Sequence, residues 1–213
     1  MSRIFIAGFG KVGREILPWI KRRWSREQIW IIDHDPGTLS LESTLHGLAV
    51  LDDGPRFLTR YQQSISDKDW VIPALPIHLA WDWLALNLKT VYKTRSIPPE
   101  VLLGESLPYQ HLTGHTLFAS YADFVCPDGC PAPLGHCFKT RQKRPLPLWK
   151  FLEKQNPPKG TLHVIESRQM APGMGGYRFG ELRKALKQAL ENDPPFFLAT
   201  ACRCHGVING LTW

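Results

Sequence analysis

Residues 3–13, RIFIAGFGKVG, decide the fold, because they join a short isoleucine-rich run to a G-x-G-x-x-G motif. The apolar run predicts a buried parallel strand. In the stretch that follows, apolar residues recur four positions apart, which predicts a helix with one buried face. Pro18 lies inside this stretch and is expected to kink or shorten the helix. The chain therefore begins with a strand, a glycine turn and a helix.

A second apolar strand, QIWIID, ends at Asp33, which follows Gly13 by 20 residues. A glycine motif between strand and helix, with an acidic residue at the tip of the next strand, is the context of the dinucleotide fingerprint. Gly8 would allow the tight turn, Gly10 the approach of a pyrophosphate, and Gly13 close packing of the helix on the strand. The N-terminus of the helix would offer free N–H groups to the phosphates.

Asp33 favours NAD(H) over NADP(H), because a carboxylate accepts hydrogen bonds from ribose hydroxyls and repels a 2′-phosphate. The alternative is an α/β domain without a nucleotide, in which the glycines serve packing alone.

The alternation of strands and helices continues to about residue 95. GLAVLDDG (47–54) predicts a third strand, and WVIPALP (70–76) predicts a fourth strand before an apolar helix. His78 either faces the cofactor or caps that helix. Residues 1–95 are therefore predicted to form a Rossmann-like dinucleotide-binding domain with a parallel sheet.

The segments IFIAGFGKVGREI and IIDHDP resemble the NAD-binding domain of the TrkA-N (RCK) type, which regulates potassium transport. They are also similar to the first unit of the saccharopine dehydrogenase group. The resemblance covers the N-terminal ~85 residues. It implies nucleotide contacts at seven positions: Gly8, Phe9, Gly10, Lys11, Val12, Gly13 and Asp33.

Composition is that of a soluble globular protein, with 43% hydrophobic and 21% charged residues and a formal net charge of +7. The N-terminus has no signal-peptide pattern, and no apolar run has the length of a membrane span. We therefore expect a cytoplasmic protein. The basic excess indicates either an anionic partner or a solvated basic face.

Residues 96–213 are predicted to form a smaller C-terminal α/β lobe. Strands are expected at 116–126 and 161–167, a helix in RFGELRKALKQALEN, and a last strand in FFLATACRCHGVINGLTW. APGMGG (171–176) is expected to open the helix. Its residues Gly173–Gly176 are either a site for a small anionic ligand or a flexible connection.

The five cysteines of this lobe fall into two groups, each at or beside the end of a predicted strand. Four interpretations are open: a disulfide framework, unrelated buried cysteines, a zinc site and an iron–sulfur cluster. A reducing cytosol and the odd cysteine count weigh against disulfides. A zinc site would take four thiolates, or three with His205 or His136. The predicted metal ligands are Cys126, Cys130, Cys137, Cys202 and Cys204.

The favoured function is thus an NAD(H)-binding protein with a cysteine-ligated metal centre, iron–sulfur or zinc, related to redox chemistry and compatible with an NAD-dependent oxidoreductase. A second reading is a non-enzymatic, NAD-responsive regulator of the TrkA-N type with structural zinc. A third is a zinc-dependent nucleic-acid binder using the tract KTRQKR, although no interleaving of aromatic and basic residues supports base stacking. A homo-oligomer is compatible with the sequence, and no residue is assigned a catalytic role.

Overall fold

A computed structural model describes residues 2–39, 46–99, 107–127, 129–144 and 146–213. None of the helices in this described part has the length and apolar content needed to traverse a bilayer. The first half contains β1 (Ile4–Ala7), α1 (Lys11–Ile20), β2 (Ile29–Asp33), β3 (Leu48–Leu51), α2 (Gly54–Arg60), β4 (Trp70–Pro73) and α3 (Leu79–Leu88). The second half contains β5 (Arg95–Ile97), β6 (Tyr109–Thr113), β7 (Thr116–Ser120), α4 (Leu148–Glu153), β8 (Thr161–Glu166), β9 (Arg168–Ala171), β10 (Met174–Arg178), α5 (Phe179–Glu191), β11 (Phe196–Ala201) and β12 (His205–Thr212).

The chain is mixed α/β with two mixed sheets, which confirms the α/β part of the predicted fold class. The first sheet has the order β3-β2-β1-β4-β10-β9. Its strands β1 to β4 pair with one another in parallel, and β10 and then β9 add to β4 in antiparallel fashion. The second sheet has the order β6-β7-β12-β11-β8, with β5 also pairing to β12. Its only parallel pair in the described residues is β8 with β11.

Three apolar clusters stack helices and sheets in alternating layers. Ile4 and Ile6 of β1 face α1, whereas Phe5 of the same strand faces the central cluster, because successive side chains of a strand point to opposite faces. The central cluster packs α2, α3 and α5 between the two sheets. The third cluster holds α4 on the outer face of the second sheet through Leu148 and Leu152. Burial of each such leucine or isoleucine contributes about 1.5–3 kcal/mol.

The first sheet takes two of its strands from beyond residue 95. β10 pairs with β4 through Tyr177 and Val71, and β9 follows β10. The division into residues 1–95 and 96–213 stays a prediction, but the described sheet crosses that boundary.

The structure corrects three local predictions in the second half. β7 ends at Ser120, so the chain reaches Cys126 in a loop and not at a strand end. The final segment forms two antiparallel strands, β11 and β12, with the C-x-C at their turn. APGMGG spans the β9–β10 hairpin, with Pro172 and Gly173 in its turn, and the helix begins only at Phe179. Gly173–Gly176 therefore do not lie at a helix N-terminus.

Candidate functional site

All five cysteines line one small cavity of about 50 Å³. Cys126, Cys130 and Cys137 come from the loop after β7, whereas Cys202 and Cys204 come from the β11–β12 turn. His205, the first residue of β12, also lines it. All five thiols are free, so the disulfide interpretation has no support in this structure.

Backbone contacts from three directions bring the two cysteine groups together. The tight turn closes with a hydrogen bond from the N–H of Cys202 to the carbonyl of His205, 2.8 Å long. The carbonyl of Cys204 accepts from the N–H of Tyr121, where β7 ends, at 3.0 Å. Across the cavity, the carbonyl of Cys130 accepts from the N–H of Gly173 and from Gln169 Nε2. The cysteine loop thus docks on the β9–β10 hairpin.

Two of the thiols receive backbone N–H donors from residues just downstream. Cys202 Sγ lies 3.4 Å from the N–H nitrogen of Cys204 and 3.3 Å from that of His205. Cys137 Sγ lies 3.5 Å from the N–H nitrogen of Thr140. At Cys137 such donors lower the pKa of the thiol, because they stabilise the charged form of sulfur. Thiolate is the form that binds metals.

The thiol pKa values differ around the cavity. Burial alone would raise the pKa of Cys137, but hydrogen bonds from Thr140 and the backbone, together with Arg144, lower it to about 7. Burial raises the pKa of Cys204 to about 11, despite Arg144 Nη1 at 2.5 Å from its sulfur. The pKa of Cys126 is also raised, first by burial and then by the neighbouring thiols.

His205 is the side chain that touches both cysteine groups. Its Nε2 lies 3.4 Å from Cys126 Sγ, and its Nδ1 lies 3.9 Å from Cys202 Sγ. Burial and the charge of Arg144 lower its pKa, which keeps the imidazole neutral and able to act as a ligand. His136, the other predicted histidine ligand, lies outside the set that lines the cavity and contacts the carbonyl of Leu134.

Within the described residues, no group of three or more His, Cys, Asp or Glu side chains is arranged so as to hold a metal ion. The cavity thus collects the predicted ligands without an assembled coordination shell.

The glycine loop lies at the carboxyl end of β1, as the fingerprint predicts. Gly8 has φ of +99°, and a Cβ on Gly13 would meet the carbonyl oxygen of Gly8, so both positions require glycine. A Cβ on Gly10 would meet no atom within 4 Å. The structure leaves open space where the fingerprint needs the backbone to approach a ligand.

Asp33 is buried and already bonded within the protein. Its Oδ2 accepts from the N–H of Phe9 at 2.7 Å, and its Oδ1 accepts from the N–H of Asp35 at 2.9 Å. Lys11 is exposed and lies 3.9 Å from Glu15, and Val12 is 43% exposed. The seven predicted contact positions therefore cluster at one edge of the first sheet.

Sequence reasoning missed the role of Arg144 and misread His78. The sequence indicated Arg144 only as part of a basic tract, but its side chain contacts Cys204, which lies 60 residues away in the chain. His78 is the N-cap residue of α3, but its side chain makes no capping bond and instead reaches Asn209 and Thr200 of the second sheet. No local signal could have indicated either contact.

Comparison with known proteins identifies relatives but no described activity. Residues 80–213 match AF_1314_C, described as "Uncharacterized protein, C-terminal domain", and the chain belongs to this family. An "Uncharacterized protein" of Archaeoglobus fulgidus is 31% identical over 221 residues, which covers 97% of this chain and 97% of that protein. No solved structure matches the chain.

Proposed function

We propose that this member of the AF_1314_C family binds one zinc ion in the cysteine cavity, through the thiolates of Cys126, Cys137 and Cys202 and the imidazole of His205. The observation that carries the proposal is the 3.4 Å separation of Cys126 Sγ and His205 Nε2. Zinc–sulfur and zinc–nitrogen bonds of about 2.3 and 2.0 Å, meeting at a tetrahedral angle, separate the two ligand atoms by about 3.5 Å.

The choice of thiols follows from their surroundings. Cys137 and Cys202 receive backbone N–H donors, and hydrogen bonds of this kind orient and tune metal ligands. Cys204 is bound by Arg144 and has a raised pKa, so it is the poorest ligand of the five. Cys130 has neither a sulfur contact with the histidine nor an N–H donor among the described contacts.

The size and chemistry of the cavity favour zinc over an iron–sulfur cluster. A volume of about 50 Å³ suits one ion better than the eight atoms of a four-iron cluster. A mixed set of thiolates and one imidazole is typical of zinc, whereas four-iron clusters are held by four thiolates. Closing the shell requires Cys137 and Cys202 to turn toward the Cys126–His205 pair, by rotation between staggered rotamers.

Elemental analysis of protein purified without oxygen tests this proposal. We expect one zinc per chain in the native protein and in the matched control Cys204→Ser, and a lower zinc content in Cys202→Ser. Cobalt(II) substitution gives a second readout, because the thiolate-to-cobalt absorption should fall by about a third in Cys137→Ser. Iron and sulfide in a brown protein, or no metal after reconstitution with zinc, would refute the zinc assignment.

A second candidate function, NAD(H) binding at the glycine loop, has its own support. The strand order β3-β2-β1-β4 matches the first four strands of the Rossmann order 3-2-1-4-5-6. Space is open around Gly10, and Val12 and Leu51 expose apolar surface at the same sheet edge, where an adenine ring could pack. A carboxylate has about four acceptor positions, so Asp33 keeps acceptors for ribose beside its two N–H partners.

NADH fluorescence titration tests the dinucleotide proposal. Gly10→Ala should weaken NADH binding at least tenfold, because the new Cβ fills space that only a ligand uses. The thermal midpoint should stay nearly constant. Unchanged affinity in this variant, or no saturable binding to the native protein, would contradict the proposal.

Together the two proposals favour an NAD-responsive protein whose cysteine lobe is stabilised by zinc. Zinc has no redox chemistry, so electron transfer would belong to the nicotinamide alone. A cofactor-dependent oxidoreductase and a ligand-responsive regulator both remain within this proposal.

A further inference from the structure

A cavity of about 420 Å³ lies between the β9–β10 hairpin and the second sheet. Its volume is in the range of small-molecule sites. Phe118, Met174 and Val207 supply apolar surface, and Thr200 supplies a hydroxyl group. Cys202, His205 and Ala132 line both this cavity and the cysteine cavity, so the two adjoin.

The direction in which the hydroxyl of Thr200 donates its proton is fixed by a chain of hydrogen bonds through His78 and Asn209. Asn209 Nδ2 donates to the carbonyl of His115 and to Thr116 Oγ1, each at 2.8 Å. Its Oδ1 is therefore the atom that faces His78 Nδ1, at 2.7 Å. An amide oxygen only accepts, so His78 Nδ1 carries the proton.

It follows that His78 Nε2 has no proton and accepts from Thr200 Oγ1, at 3.1 Å. The single hydroxyl proton of Thr200 is thus used inside the protein. Burial lowers the pKa of His78 to about 4, and the bond to Asn209 only partly opposes this. The imidazole is therefore neutral at neutral pH, and the two hydrogen bonds of His78 keep Nδ1 as the donor and Nε2 as the acceptor. Toward the cavity, Thr200 can offer only its lone pairs.

We propose that this cavity binds a small molecule with an apolar body and one hydrogen-bond donor, an O–H or N–H group, that donates to Thr200 Oγ1. The apolar body would lie against Phe118, Met174 and Val207. The inference goes beyond the zinc and dinucleotide proposals and requires neither, because all the contacts on which it rests are made by the protein itself.

The test compares two probes that differ in one donor, benzyl alcohol and benzyl methyl ether. Binding to the protein as purified is followed by NMR of the methyl groups of Met174, Thr200 and Val207. We expect saturable shifts at these methyls, with a dissociation constant about tenfold lower for the alcohol, the value of one hydrogen bond. Thr200→Val should abolish the preference, and Thr200→Ser should retain it.

Each outcome decides the proposal. Equal affinities for the two probes in the native protein, saturable shifts elsewhere, or no saturable shift would overturn it. If Thr200→Val fails to fold because His78 Nε2 is left without a donor, the native protein and Thr200→Ser still give the answer. These measurements do not depend on the zinc content. A negative result with the two probes therefore leaves the zinc proposal unaffected, and a negative result for zinc leaves this proposal unaffected.

Discussion

The glycine loop and the cysteine cavity differ in how their residues are brought together. The loop is nearly contiguous in the chain, and its one distant member, Asp33, lies on the adjacent strand and bonds to Phe9. The cavity joins Cys126 to His205 across 79 positions, and Arg144 to Cys204 across 60. A site on neighbouring strands is stabilised by the pairing and packing of those strands. A site assembled from loops is stabilised only by the contacts between the loops, including any bound ligand.

The two regions also differ in how completely their polar groups are bonded. Both oxygens of Asp33 accept backbone N–H groups. In the cavity, Cys126 and Cys204 have raised pKa values beside one guanidinium, because desolvation disfavours the thiolates that Arg144 attracts. A bound cation would remove this conflict by stabilising the thiolates. The comparison therefore predicts that the cavity, and not the glycine loop, depends on a ligand for its stability.

The largest effect is expected from removal of the metal. Stripping zinc with a chelator should lower the free energy of unfolding by about 4 kcal/mol, the contribution of a ligand present at a thousand times its dissociation constant. Hydrogen exchange should accelerate around Cys137 and Cys202, while the Phe9 amide at the glycine loop should keep its protection. Equal loss of protection in both regions would break the comparison, and so would no change after chelation.

A steric test of the glycine loop should give the next largest effect. Gly13→Ala should lower the free energy of unfolding by about 3 kcal/mol, because its Cβ would press on the carbonyl oxygen of Gly8. Gly10→Ala, the matched control, should cost no more than about 1 kcal/mol. Urea denaturation measures both. Similar losses in the two variants would mean that the loop is not closely packed at Gly13.

Acid stability should depend on His78, which joins the start of α3 to the second sheet. The pKa of His78 falls from 6.5 to about 4 on folding. As the pH falls, the unfolded chain therefore binds a proton at His78 before the folded chain does. Its contribution, up to about 3 kcal/mol, is present above pH 6.5 and is lost as the pH falls toward 4.

His78→Gln serves as the control, because glutamine can keep both hydrogen bonds but does not titrate. Asp82 acts in the opposite direction over the same range, since burial and Asp53 raise its pKa to about 6, and it is present in both proteins. The quantity to measure is therefore the difference between the pH profiles of native and variant protein. Parallel profiles would show that His78 does not titrate on unfolding.

The smallest effect is expected from Asp33→Asn. Asparagine keeps the shape but offers one acceptor oxygen for two N–H groups, so the free energy of unfolding should fall by about 2 kcal/mol. Denaturant titration measures the loss, and NADH titration of the same variant sharpens the comparison. A stable variant that no longer binds NADH would mean that the carboxylate serves the ligand and not the loop.

Much of the first half could be predicted, because its signals are local. Apolar runs placed β1, β2 and β4 within a few residues of their observed ends, and the glycine spacing located the turn before α1. Errors fell where pairing between distant segments decided the outcome. The Asn-Gly turn signal of FFLATACRCHGVINGLTW lies at Asn209 and Gly210, inside β12, so it does not mark the real turn. Only the pairing of β12 with β7 and β11 divides the segment into two strands at Cys202–Cys204.

The sequence by itself determined the α/β class, the strand–glycine–helix–strand unit and the two groups of cysteines, because periodicity, glycine geometry and residue type act over a few positions. Only the tertiary structure decided that the two groups share one cavity, that His205 and Arg144 join them, and that His78 reaches Thr200 and Asn209. The physical reason is that these contacts depend on sheet order and on loop docking. The contacting segments lie 60 or more residues apart in the chain, so a local sequence pattern does not predict their pairing.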